Sequence, residues 1–79
     1  MKIKILGTGC AKCKQLEALT REVVAELKIE AGIEKVSELK DIMAYPITMT
    51  PALVIDEKVV FSGKLPDKST LAAEIRKRL

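Results

Sequence analysis

Two cysteines separated by two residues are the side chains of this 79-residue chain whose types and spacing could do chemistry. Cys10 and Cys13 follow the segment Gly7-Thr8-Gly9, and two thiols this close can form a disulfide or hold a soft metal ion. The chain contains no histidine, which excludes Cys–His nucleophilic catalysis and zinc sites that mix cysteine with histidine. In a cytosolic chain, such a pair indicates redox or metal chemistry rather than a structural disulfide framework.

The two thiols are predicted to be chemically unequal. Cys10 falls where the first predicted strand passes into the first predicted helix, and unpaired backbone N–H groups at a helix N-terminus favour a thiolate there. Lys12 and Lys14 add positive charge beside it. Cys13 lies one turn further along, on the apolar face of the helix. An exposed, activated thiol with a covered one within reach is the arrangement that two-step thiol–disulfide exchange requires.

Apolar periodicity predicts seven elements in the order β-α-β-α-β-β-α. The predicted strands are 1–6, 33–36, 52–55 and 59–61, and the predicted helices run from about 11 to 28, briefly after Ser37 until Pro46, and from Asp67 onward. A strand, helix and strand at the start favour a right-handed parallel crossover, and the final hairpin adds antiparallel strands to the same sheet. The sequence therefore predicts an α/β fold, a three-layer sandwich on a four-stranded mixed sheet, in one domain spanning residues 1–79.

The apolar stripes of the predicted helices identify the candidate core. Ser37 and Asp67 are the side chains expected to cap the second and third helices. The residues expected to face inward are Cys13, Leu16, Leu19 or Thr20, Val23 and Leu27 in the first helix, Leu39, Ile42 and Met43 in the second, and Leu71, Ile75 and Leu79 in the third. Met43 and Met49 are interpreted as core filler rather than as a ligand box.

The charge pattern argues against nucleic-acid and membrane partners. The formal net charge is +3, but acidic and basic residues are interleaved, and only Arg76-Lys77-Arg78 clusters one sign. Tyr45 and Phe61 are the only aromatic residues, too few for the stacking platforms that nucleic-acid binding uses. No apolar run approaches the roughly 18 residues of a membrane span, and the alternating N-terminus is unlike a secretory signal. We therefore expect a cytoplasmic protein.

Three motifs together resemble the thioredoxin/glutaredoxin superfamily, specifically its short prokaryotic members. They are Cys10-Ala11-Lys12-Cys13 after the first strand, Thr50-Pro51 just before the strand at 52–55, and Phe61-Ser62-Gly63 leading to the last helix. The resemblance covers essentially the whole chain. It implies a thioredoxin-like sandwich, a cis peptide bond before Pro51, and a Thr50 backbone that pairs with the substrate chain.

The resemblance also implies an activity and the residues that carry it. Cys10 and Cys13 would form the catalytic dithiol/disulfide of a protein disulfide oxidoreductase, with no cofactor beyond that pair. From its position at the helix start, Cys10 is expected to attack and Cys13 to resolve. The residues expected to contact substrate are Gly9, Ala11, Lys12, Thr50, Pro51 and Gly63. Protein disulfides are the expected partners, and the protein is expected to be a monomer.

The motifs depart from both familiar branches of the superfamily, which bears on the partner. Gly9 stands where thioredoxins carry tryptophan, and Ala11-Lys12 replaces their Gly-Pro. Gly63 is followed by Lys64, so the second glycine with which glutaredoxins help to bind glutathione is absent. The fold and the redox chemistry therefore carry over from the resemblance better than the partner does.

Two sets of side chains point to different electron donors. Glutathione, a small anion, would be attracted by basic side chains near a helix start that Asp67 caps, namely those of Lys12, Lys14, Lys64 and Lys68. Ile47 and Met49 instead offer apolar contacts that suit docking with a protein. Because the second glycine is absent, we expect a thioredoxin-reductase-like flavoenzyme or a related protein donor, with glutathione a poor substitute.

The main alternative is a heavy-metal-carrier domain of the Met-x-Cys-x-x-Cys type, which also places two cysteines after its first strand. Its soft thiolates, here Cys10 and Cys13, would carry Cu(I) or Zn(II). Against it, Thr8 stands where methionine is expected, and a helix replaces the last strand. A zinc site could complete itself only by pairing two chains.

Two other motifs are incomplete in this sequence. A nucleotide-binding G-x-G-x-x-G motif would need glycine at Lys12, and a C-x₅-R phosphatase motif would need arginine at Leu16 or Leu19.

Overall fold

The computed structural model describes residues 1–47 and 49–79, and its seven elements follow the predicted order. They are β1 (Lys2–Leu6), α1 (Ala11–Leu27), β2 (Gly32–Val36), α2 (Leu39–Ile42), β3 (Ala52–Ile55), β4 (Lys58–Ser62) and α3 (Lys68–Arg76). Within this described part, no helix is long and apolar enough to cross a membrane.

The four strands form one mixed sheet in the order β2-β1-β3-β4. β1 pairs in parallel with β2, which is the arrangement that a crossover through α1 produces. β3 pairs antiparallel with both β1 and β4. Asp56 and Glu57 join β3 to β4 with positive φ angles of 47° and 69°, the backbone geometry of a tight two-residue hairpin. The predicted α/β fold on a four-stranded mixed sheet is confirmed.

The sheet separates two apolar layers. Ile3 and Ile5 of β1 pack with the buried side chains of α1 and α3 on one face. Leu6 lies on the opposite face, with Ala52 and Val54 of β3, where Ile42 of α2 covers them. The alternation along each strand follows from the two-residue period of a β-strand. Strand β1 contributes side chains to both apolar layers, and the chain continues from its end into the cysteine pair.

Helix α1 is held by one buried stripe. Cys13, Leu16, Thr20 and Val23 are its buried residues, at the spacing of a helix face. The Thr20 hydroxyl donates to the Leu16 carbonyl at 2.7 Å, so its burial leaves no unpaired polar atom. The residue that follows the helix, Lys28, is its C-cap. The left-handed backbone of Lys28 (φ 53°) lets its N–H reach the carbonyls of Val24 and Ala25.

Three details of α2 differ from the prediction. Glu38, not Ser37, is the N-cap residue, and no side chain hydrogen-bonds there. Leu39 and Met43 are 63% and 72% exposed, so they do not face inward; Ile42 is the buried residue of the helix. Leu39 and Met43 are exposed because α2 is short. A helix of four residues makes barely one turn and places one residue, Ile42, against the sheet.

The C-terminal segment also differs from the prediction at two places. Strand β4 runs over Lys58–Ser62, longer than the predicted 59–61, because the hairpin turn needs only two residues. Helix α3 ends at Arg76, so Leu79 lies beyond it and is 70% exposed. The apolar stripe of α3 therefore consists of Leu71 and Ile75, both fully buried.

Candidate redox site

The sheet register brings three distant segments to one end of the molecule. Leu6, the last residue of β1, pairs with Ala52, the first residue of β3. Ala52 in turn pairs with Ser62, the last residue of β4. The chain after β1, the chain before β3 and the chain after β4 therefore leave the sheet at the same end. These are the segments that carry the cysteine pair, Thr50-Pro51 and Gly63.

Cys10 and Cys13 are joined in a disulfide, with their Cα atoms 5.1 Å apart. Cys10 is the N-cap residue of α1, and its Sγ accepts a hydrogen bond from the Cys13 N–H at 3.2 Å. Cys10 is exposed, whereas Cys13 is only 5% exposed. The predicted inequality of the two sulfurs is confirmed in their burial, because the cap position projects outward and the next turn faces the sheet.

Gly7 is a site residue that sequence reasoning assigned only to a loop. It is buried at the end of β1, and a Cβ atom built on it would overlap Cys13 Sγ and lie 3.0 Å from Cys13 Cβ. Gly9, an expected substrate contact, has open space around it and is exposed, with φ +94°. Glycine thus serves packing at position 7 and backbone conformation at position 9. No periodicity in the sequence distinguishes these two reasons.

Thr50 and Pro51 precede β3, and the peptide bond between them is cis. Pro51 is fully buried, and its carbonyl accepts the Gly63 N–H at 2.9 Å, which ties β3 to the chain after β4. Neither the N–H nor the carbonyl of Thr50 is bonded to another backbone group within residues 1–47 and 49–79. The Thr50 backbone therefore has hydrogen-bonding groups that no described backbone group uses, at the end of the sheet that carries the cysteines.

Gly63 has a left-handed backbone with φ +76°, which favours glycine. The side chain of Met49 fills the space in front of it: a Cβ built on Gly63 would lie 3.0 Å from Met49 Cβ and 3.4 Å from its Sδ. The Gly63 backbone is consequently covered by a thioether. Met49 therefore covers Gly63 on the side to which a Cβ atom would point.

An apolar groove of about 220 Å³ opens beside the cysteine loop. Thr8 and Thr50 connect it to that loop and to the chain before β3, and its full lining is Thr8, Leu39, Ile42, Met43, Ile47, Met49 and Thr50. Met43 and Met49, 72% and 61% exposed, belong to its rim, so the interpretation of both as core filler is wrong. Exposed apolar side chains gathered beside a reactive pair are typical of a docking surface.

The lysines that were expected to attract an anion differ in their ion pairs. Lys12 and Lys14 are exposed, and neither forms an ion pair among the described residues. Lys68 is held by Glu22 (2.7 Å) and by Glu26, and their hydrogen bonds raise its pKa. The positive charge left uncompensated in the described part of α1 is therefore beside the disulfide.

A side chain of the protein itself caps the start of α3. Asp67 is the N-cap residue, as predicted, and its carboxylate accepts the Thr70 N–H at 2.8 Å. Hydrogen bonds from Thr70 lower the pKa of Asp67, so the carboxylate stays ionised. An anionic ligand at this helix end would meet a negative charge.

A family model described as a thioredoxin domain matches residues 1–76 of the chain. The chain is 42% identical over 71 residues to a thioredoxin of Methanothermobacter thermautotrophicus, an alignment that covers 90% of this chain and 92% of that one. It is 36% identical over 77 residues to a thioredoxin of Methanocaldococcus jannaschii, covering 98% and 88%.

These matches, the paired cysteines and the final helix do not favour the metal-carrier alternative. Among residues 1–47 and 49–79, no group of three or more His, Cys, Asp and Glu side chains could hold a metal ion. A zinc carrier would have to complete its four-ligand set from outside this part of the chain. The chain belongs to the thioredoxin domain family, and it is a thiol–disulfide oxidoreductase.

Proposed function

We propose that Cys10 attacks the disulfide of a protein substrate and that Cys13 resolves the mixed disulfide. The observation that carries this assignment is the difference in exposure: Cys10 is open to solvent, and Cys13 is 5% exposed. A protein disulfide can reach only the outer sulfur. The N-cap position favours Cys10 as the thiolate, because the helix dipole and the Cys13 N–H stabilise negative charge there.

The exchange proceeds in two displacements at sulfur. The Cys10 thiolate attacks one substrate sulfur; the substrate S–S bond breaks, and the other substrate sulfur leaves as a thiolate that takes a proton from water. Cys13 then loses its proton to water and attacks Cys10 Sγ. The Cys10–substrate bond breaks as the Cys10–Cys13 bond forms. Two electrons pass to the substrate, and the second substrate sulfur leaves as a thiolate.

The assignment predicts opposite behaviour for two serine variants. Cys13→Ser should accumulate covalent mixed disulfides with a protein disulfide substrate, because nothing resolves them. Cys10→Ser should form none and should lose turnover. Non-reducing electrophoresis and intact mass measurement distinguish the two. Mixed disulfides that accumulated with Cys10→Ser and not with Cys13→Ser would reverse the roles.

We place the substrate backbone along Thr50. Its N–H and carbonyl lack backbone partners among the described residues, and an extended segment could pair with them as an added strand. Gly9, Ala11 and Lys12 are exposed beside the disulfide and would contact the same segment. The apolar groove next to Thr50 supports a protein substrate rather than a small polar one, because no charged residue lies among the described residues of its lining.

For the electron donor we infer a thioredoxin-reductase-like flavoenzyme or a related protein, with glutathione a poor substitute. Three observations support this: Met49 covers Gly63, Glu22 and Glu26 already hold Lys68, and Asp67 keeps a negative charge at the start of α3. Each of them makes one of the groups that were expected to hold the small anion less available. The proposal further takes the chain as a single-domain monomer that acts in the cytoplasm with no cofactor beyond its disulfide.

Donor choice is tested by measuring steady-state disulfide reduction with a flavoprotein reductase and with glutathione at matched driving force. We expect turnover to be faster with the flavoprotein. A Met49→Ala variant, which uncovers Gly63 and removes an apolar side chain from the groove, should improve turnover with glutathione and lower turnover with the protein donor. Efficient turnover of the wild type with glutathione alone would contradict the inference.

A further inference from the structure

We propose that Gly7 is the positioning residue for Cys13: the missing side chain at position 7 forms the recess that holds the inner sulfur buried and within reach of Cys10. The observation is steric, since a Cβ on Gly7 would overlap Cys13 Sγ and lie 3.0 Å from Cys13 Cβ. The part of the proposal that concerns the resolving step rests on the proposed function. The part that concerns the disulfide equilibrium does not.

Neither side of this contact is free to give way. The Gly7 N–H donates to the Val36 carbonyl at 3.0 Å and so continues the pairing of β1 with β2. Cys13 is carried by α1, which Leu16 and Val23 anchor in the core. A larger residue at position 7 must therefore move the sulfur itself. Closely packed interiors transmit such a change rather than absorb it.

The two redox states differ in how the sulfur can respond. In the dithiol, the Cys13 side chain can rotate to another staggered rotamer and carry Sγ away from residue 7. In the disulfide, Sγ is tied to Cys10 and cannot rotate away. A methyl group at position 7 should therefore destabilise the disulfide more than the dithiol. The protein would become a stronger oxidant.

The same recess governs the resolving displacement. Cys13 Sγ must approach Cys10 Sγ of the mixed disulfide in line with the bond that breaks, and the rate depends on how often the sulfur occupies that position. Because Gly7 has no side chain, Cys13 Sγ can occupy that position in its buried rotamer. A rotamer turned away from residue 7 would leave the mixed disulfide unresolved for longer. Attack by Cys10 uses an exposed sulfur at the helix cap and does not need the recess.

The test compares Gly7→Ala with Gly32→Ala. Gly32 is a matched control because it is exposed at the start of β2 and does not require a positive φ. Apart from its two chain neighbours, no described residue has an atom within 4 Å of a Cβ added to Gly32. Equilibration with a reduced and oxidised dithiothreitol couple measures the disulfide equilibrium. For Gly7→Ala we expect formation of the disulfide to be disfavoured by about tenfold or more, which corresponds to a potential about 30 mV more oxidising. Gly32→Ala should stay near the wild-type value.

Rapid mixing with an aromatic disulfide separates the two chemical steps. We expect Gly7→Ala to slow the resolving step by about tenfold or more, while the attacking step changes by less than about threefold. Wild-type equilibrium and wild-type resolution in Gly7→Ala would overturn the proposal. If the potential moved but Cys13→Ser trapped no mixed disulfides, the proposed roles would fail and the recess would stand.

A second pair of variants covers the case in which Gly7→Ala does not fold. Cys13→Ala removes Sγ and leaves only the 3.0 Å approach of the two Cβ atoms, which requires a small shift. The double variant Gly7→Ala/Cys13→Ala should therefore have a urea midpoint close to that of Cys13→Ala. If the double variant also failed to fold, or if its urea midpoint lay far below that of Cys13→Ala, the glycine would serve the backbone alone, and the proposal would be wrong.

Discussion

At the scale of single residues, Cys10 Sγ combines two roles in one atom. It accepts the Cys13 N–H at the start of α1, and it is the sulfur that solvent reaches. Caps at this position are normally oxygen atoms of Ser, Thr, Asp or Asn. A sulfur that caps the helix is held in place by its hydrogen bond without being buried. The reactive group is therefore both fixed in position and accessible to a substrate.

This double role predicts how the reduced protein responds to two substitutions. Cys10→Ser keeps a cap acceptor, whereas Cys10→Ala removes it and leaves the Cys13 N–H without that partner. We expect the free energy of unfolding of Cys10→Ala to be about 1 kcal/mol lower than that of Cys10→Ser. Urea unfolding of both variants under reducing conditions measures the difference. Equal stability would show that the cap contributes nothing once the disulfide is open.

At the scale of elements, length decided which residues are buried. Helix α3 contributes Leu71 and Ile75 to the core and ends before Leu79. Helix α2 is so short that Leu39 and Met43 stay exposed and line the groove. The periodicity of the sequence continues across both helix ends. It therefore marks which side of a helix is apolar, but not where the helix stops.

A paired substitution at the end of the chain tests this boundary. Ile75→Val removes one methyl group from a fully buried side chain and should cost about 0.5–1.5 kcal/mol. Leu79→Ala removes three carbon atoms from a side chain that is 70% exposed and should cost less than about 0.5 kcal/mol. Urea unfolding of the oxidised protein compares them. A larger loss with Leu79→Ala would mean that the last helix extends further in solution.

At the scale of the whole molecule, ion pairs connect elements that are distant in sequence. Glu17 of α1 accepts from Arg21 at 3.0 Å and lies 3.5 Å from Lys35 of β2. The hydrogen bond from Arg21, with the nearby charge of Lys35, lowers the pKa of Glu17 below its usual value. Similar pairs lower the pKa of Glu22, Glu57 and Glu74. Their ionised forms favour the folded state.

The sign of these shifts predicts an acid-sensitive fold. A carboxyl group with a lowered pKa in the folded state stabilises the protein above its unfolded pKa, near 4.5, and this contribution is lost as the pH falls through the lower folded value. We expect the urea midpoint to fall below about pH 4.5 and the fall to be shallower in Glu17→Gln. Glu34→Gln is the matched control, since Glu34 forms no ion pair among the described residues. Identical pH profiles for the wild type and both variants would contradict the prediction.

The sequence by itself determined the chemistry and the order of elements. The spacing of Cys10 and Cys13, the absence of histidine and the change from a two-residue to a helical period are local properties of the chain. Local properties survive in the fold because each strand and helix forms from neighbouring residues. The mixed sheet was predictable because the order of elements and the handedness of a β-α-β crossover limit how the strands can pair. The unequal burial of the two sulfurs was predictable because the cap position and the apolar helix face are set locally.

Only the tertiary structure decided which glycine matters for the inner sulfur and what covers Gly63. Gly7 meets Cys13 because β1 and α1 pack against each other, and Met49 reaches Gly63 because β3 pairs with β4. The same holds for Met43 and Met49, which lie on the rim of a groove rather than in the core. Such contacts depend on how separate elements pack against each other, and periodicity along one segment carries no information about them.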